Sequence, residues 1–88
     1  MSRTLSFAAA VATIATADRL YAEAFDRPRS PRSGAYRAGV REALRYRVTG
    51  RSQRCPFAAG TPEADAYYAG CAEGHAIWAD EATAALTG

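Results

Sequence analysis

Apolar side chains recur at helical intervals near the start of the chain. Phe7, Val11, Ile14, Tyr21 and Phe25 follow one another at spacings of 4, 3, 7 and 4. On a helix that is a single stripe, with Asp18 in the vacant place. The spacing predicts a helix over residues 3–26, opened by Ser2 or Thr4 and ~36 Å long at ~1.5 Å per residue. So long an apolar face needs a cover, from the other helices or from the same helix of a second chain. Residues 27–34, Arg-Pro-Arg-Ser-Pro-Arg-Ser-Gly, break the pattern and read as a basic linker. Over residues 35–49 the period returns. Tyr36, Val40, Ala43, Leu44 and Val48 share one face, with Arg37, Arg41 and Arg45 as a ridge beside it.

Residues 50–61 are predicted to form a second linker. Gly50 and Gly60 punctuate it, and Pro56 lacks an amide donor and holds Cys55 extended. Cys55, Pro56 and Phe57 are its structural centre. Thr61-Pro62-Glu63 then reads as a helix start, with Thr as cap, Pro in the first helical place and Glu in the first turn. The third helix is predicted over 62–86, with Tyr67, Cys71, Gly74, Trp78 and Ala82 on one stripe. Gly70 and Gly74 form a Gly-x-x-x-Gly pair, a place where two helices can cross closely, and Gly39 is the candidate opposite it. No alternating run marks a strand. The expected fold is a single all-α domain over residues 1–88. Helices two and three form an antiparallel pair joined through Cys-Pro-Phe; the long first helix packs across them or is swapped in a homodimer.

Charge sharpens this picture. All eleven basic residues are Arg. Nine lie between Arg27 and Arg54 beside one acid, Glu42, a local balance of +8. Residues 55–88 carry five acids and no Arg. A basic middle and an acidic end imply an anionic partner or pairing within the chain. The first seventeen residues have the outline of a secretory signal, but the single Arg and the Ser- and Thr-diluted apolar run argue for a helix instead. No segment is long enough to span a bilayer, and the expected location is cytoplasmic.

Little points to catalysis. Cys71 and His75 share a helix face, and Cys55 can fold back toward them. Zinc would need a fourth ligand, and thiols packed in the protein with a surface His are the competing reading. A Cys–His nucleophilic pair lacks an orienting third group, and no phosphate-binding loop is present. The expectation is a non-enzyme with no metal, cofactor or small-molecule substrate. The arginines carry the strongest signal. Forked guanidinium groups suit phosphate and stack on bases. Arg37, Arg41, Arg45, Arg47, Arg51 and Arg54, with Tyr46 among them, form the candidate RNA-binding set. Gly39, Gly70, Gly74 and Trp78 are the candidate helix-packing residues.

Several motifs in order resemble a known family. Tyr36-Arg-Ala-Gly39, Gly50-Arg51-Ser52, Cys55-Pro56-Phe57 and Tyr67-Tyr-Ala-Gly70-Cys-Ala-Glu73-Gly resemble ribosome modulation factor across residues 36–74. The resemblance implies two helices joined by a linker. It also implies binding to small-subunit ribosomal RNA and stalling of translation by ribosome dimerisation in stationary phase. The chain departs from that pattern in its extra first helix, its longer second helix, Cys71 in place of a large aromatic, and its acidic end. The alternative expectation is a helical protein–protein module of phage or mobile-element origin, homodimeric and directed at an acidic protein surface.

Overall fold

The computed structural model describes residues 14–29 and 31–87. Among them are three α-helices and no strand: α1 (Ile14–Phe25), α2 (Gly34–Thr49) and α3 (Pro62–Thr87). The chain is all-α, as its periodicity implies. The expected start of the first helix, with Phe7 and Val11, lies outside the described residues.

Local chemistry fixes the helix ends. Ser33 caps α2, its Oγ accepting from the amide of Tyr36 at 3.2 Å. Gly50 closes the same helix in the left-handed region at φ 73°, and its N–H donates to Tyr46 O. Thr61 Oγ1 accepts from the amide of Ala64 at the start of α3, and Pro62 takes the first helical place. Glu63 and Asp65 lie in the first turn, where the helix dipole favours negative charge.

The core is small. Val40 and Leu44 are fully enclosed, Ala17 and Leu20 join them, and Tyr21, Phe25, Tyr36, Val48, Ile77 and Trp78 pack around the margin. In α1 the buried line is Ala17, Leu20 and Ala24, while Ile14 is 40 % exposed. The expected aromatic stripe is therefore displaced to one side. Small residues let α1 sit close to its neighbours, and Tyr21 and Phe25 are left at the flank under guanidinium groups.

Helices α2 and α3 cross with almost no side chain between them. Gly39, Gly70 and Gly74 are buried at the crossing. A Cβ on Gly39 would overlap the carbonyl oxygen of Tyr67 and lie 2.9 Å from Cys71 N. One on Gly70 would overlap the carbonyl oxygen of Tyr36 and lie 3.1 Å from Val40 N. The α-hydrogens that replace those Cβ atoms aim at the two carbonyls, a reciprocal pair of Cα–H···O contacts worth ~0.5–1 kcal/mol each. One on Gly74 would fall 2.7 Å from Val40 O and from Ala43 Cβ.

These contacts correct the expected antiparallel pair. Ser33, Gly34 and Ala35 share a cleft with Pro62, Glu63 and Ala66, so both helix starts lie together. Gly39 meets Tyr67 and Cys71, Gly74 meets Val40 and Ala43, and Arg47 meets His75. The two helices advance in the same sense. The physical reason is the connection: residues 50–61 turn back along α2 before α3 begins, with Gln53 N donating to Glu42 Oε2 at 2.9 Å. At ~3.3 Å per extended residue, twelve residues exceed the ~24 Å length of α2. The helix that runs counter to the others is α1. Its Phe25 and Tyr21 lie under Arg37 and Arg41, and Arg19 reaches Glu81.

Candidate nucleic-acid interface

The arginines divide into two groups by what they touch. The first is spent within the fold. Arg29 meets Glu73 through both terminal nitrogens, at 3.0 and 2.9 Å, and also donates to Ala24 O. Tyr36 Oη donates a short hydrogen bond to the same Glu73 carboxylate. The forked pair with Arg29, helped by that hydroxyl, holds the Glu73 carboxyl below its ordinary range. Burial of the group works the other way and is outweighed. Arg19 bridges Glu23 and Glu81 at 3.0 and 2.7 Å. The linker arginine at 29 is thus a packed strut rather than a solvated connection.

The second group is turned outward. Arg37, Arg41, Arg45, Arg51 and Arg54 are exposed, and none forms an ion pair among the described residues. Arg37, Arg41 and Arg45 stand one helical turn apart along α2. They line a groove of about 460 Å³ whose far wall is the returning linker, with Gln53, Arg54 and Pro56. Tyr21 and Tyr67 complete it. Arg41 lies 4.4 Å over the Tyr21 ring, and Arg37 lies 5.2 Å over Phe25. Such contacts, worth ~0.5–1 kcal/mol at exposed sites, hold the guanidinium groups without consuming their charge.

Tyr46 and Arg47 point elsewhere. Arg47 Nε donates to His75 Nδ1 at 3.0 Å, and the Tyr46 and His75 rings meet edge to face at 6.2 Å. Tyr46 lines a second groove, of about 590 Å³, with Tyr68, Cys55, Cys71 and His75. This groove shares Glu42, Gln53, Arg54 and Tyr67 with the first. Cys55, Pro56 and Phe57 all lie in the linker; Phe57 packs against Tyr67 at 6.1 Å, and Cys55 Sγ lies 3.7 Å from Phe57 O. Gly39, Gly70 and Gly74 form the crossing described above, and Trp78 is half-buried against the core.

Both thiols are free. Burial pushes the Cys71 thiol up, which keeps it protonated and a poor nucleophile. Although Cys55, Cys71 and His75 line one groove, no three His, Cys, Asp or Glu side chains among the described residues are grouped to hold a metal. Among the described residues no helix is long and apolar enough to cross a membrane.

Sequence reasoning missed four contributors. Tyr21 and Tyr67 read as core stripe residues, yet both also line the arginine groove. Glu42 read only as the lone acid of a basic stretch, but it anchors the linker and faces both grooves. Tyr68 is 61 % exposed beside its buried neighbour Tyr67. The available signal was that Tyr68 falls off the stripe of Tyr67, Cys71 and Gly74. No family model, no curated protein and no solved structure matches the chain.

Proposed function

We propose that the protein is a non-enzymatic RNA-binding regulator, of the ribosome modulation factor type. In this reading it engages ribosomal RNA phosphates on the small subunit through Arg37, Arg41, Arg45, Arg51 and Arg54. The observation that carries the reading is the partition of charge. Glu73 and Glu81 are occupied by Arg29 and Arg19, while the α2 and linker arginines form no ion pair among the described residues, although Glu42 also lines their groove. A row of such groups along a groove is chemistry for a polyanion. With about four phosphates neutralised at ~0.7 each, log affinity falls against log salt with a slope near −3.

Sucrose-gradient fractionation tests this. The wild-type chain is expected to co-migrate with small subunits or whole ribosomes at low salt, and Arg37→Glu/Arg41→Glu/Arg45→Glu is expected to stay at the top. Equal co-migration of that variant, or none by the wild type, overturns the reading. A second reading, a homodimeric protein–protein module, draws on Ile14 and Leu86, apolar and 40 % and 73 % exposed. Its mark is a concentration-dependent dimer in sedimentation that ignores RNA.

A further inference from the structure

We propose that the second groove is a base pocket. It accepts one unstacked nucleobase with an exocyclic amine, while the neighbouring phosphates lie on the arginine groove beside it. The ligand is therefore single-stranded RNA rather than a duplex. The inference rests on the RNA reading above and narrows it.

The arginine groove cannot supply the stacking surface. Only two aromatic rings line it: Tyr21 already carries Arg41, and Tyr67 is buried between Phe57 and Tyr68. A base arriving there meets charge and phosphate-binding forks. Across the linker the situation reverses. Tyr46 and Tyr68 are 41 % and 61 % exposed, and neither carries a stacked guanidinium. Tyr46 meets His75 at 88° and Tyr68 meets Tyr67 at 86°. Edge-on contacts of this kind leave ring surface for a planar guest. Glu42, Gln53, Arg54 and Tyr67 belong to both grooves, so a strand can cross from one to the other without leaving the protein.

Glu42 supplies the selectivity. An ionised carboxylate only accepts hydrogen bonds. Adenine and cytosine present an exocyclic amine to it, and uracil presents carbonyl oxygens on both sides of its N3–H. A duplex keeps its bases stacked and paired and offers phosphate and 2′-hydroxyl contacts alone.

Fluorescence anisotropy with labelled oligoadenylate, oligocytidylate, oligouridylate and an RNA duplex of equal phosphate number tests the proposal. Oligoadenylate and oligocytidylate are expected to bind about tenfold tighter than the duplex, as one stacked base contributes on that order, with oligouridylate falling between them because it meets Glu42 with carbonyl oxygens. Tyr46→Ala/Tyr68→Ala is expected to lower them to the duplex level and leave the duplex unchanged. Glu42→Gln is expected to remove the bias against uracil while keeping single-strand binding. Ultraviolet cross-linking of oligoadenylate to wild-type protein gives a readout independent of folding, with adducts expected at Tyr46 or Tyr68. Duplex binding as tight as oligoadenylate, or adducts confined to other residues, overturns the base pocket. If single strands and duplex all bind equally and the triple arginine variant loses them all, the pocket falls and the arginine reading stands. If no probe binds even at low salt, both fall.

Discussion

Gly39 and Gly70 are the residues on which the structure is least forgiving. Each hydrogen aims at a carbonyl of the opposite helix, and a methyl in its place overlaps backbone that cannot rotate away. Gly39→Ala and Gly70→Ala are each expected to destabilise at or above the ~3 kcal/mol end of overpacking costs. Gly34→Ala, with open space around it, is the control and is expected to melt within a degree or two of wild type. Glu73 makes the fold acid-sensitive. Its carboxyl is held below the ordinary range by Arg29. Its contribution is therefore present above the unfolded carboxyl's pKa and lost as pH falls through the lower folded value. Melting temperature is expected to drop on acidification, and Glu73→Gln is expected to flatten that part of the profile. Tyr67 acts at the other extreme. Burial pushes its hydroxyl up to about 12. The stability it confers is intact below the ordinary tyrosine value of ~10 and is lost as pH rises from there through about 12. In an ultraviolet titration of tyrosinate, the last-ionising fraction is expected to vanish in Tyr67→Phe.

The elements themselves were well marked in the chain. Gly50 closes α2, and Thr61 and Pro62 open α3, where turn and cap chemistry puts them, whereas Ser33, the cap of α2, falls inside the stretch that reads as a basic linker. Ser33→Ala is expected to cost about 1 kcal/mol, and Ser33→Asp to preserve the cap, both measured by thermal denaturation. The glycines also announced a close crossing. What they could not announce was its sense, since a stripe of small residues permits close approach from either direction. The linker length allowed both, and the deciding contact, Gln53 N to Glu42, joins a loop amide to a residue read only as charge. The site was legible to a similar depth. Spacing along α2 put Arg37, Arg41 and Arg45 on one ridge. It could not show that Arg29 and Arg19 rather than these would take Glu73 and Glu81, because that depends on where α1 lies.

At the scale of the whole molecule, cohesion and charge are carried by different residues. The fold rests on an apolar cluster around Val40 and Leu44 and on the glycine crossing, whereas the outward arginines contribute little to it. Exposed ion pairs are worth only ~0–1 kcal/mol, so added salt is expected to move the melting temperature slightly while weakening RNA binding steeply. The backtracking connection has a kinetic consequence. Residues that meet at the crossing are about thirty positions apart along the chain, whereas hairpin-linked helices meet first beside their loop. A large loop must therefore close before any of that contact is rewarded, which slows the search relative to an up-and-down bundle of the same size. Stopped-flow refolding is expected to slow further when a glycine-serine insert lengthens the connection within residues 50–61, with the unfolding rate little changed.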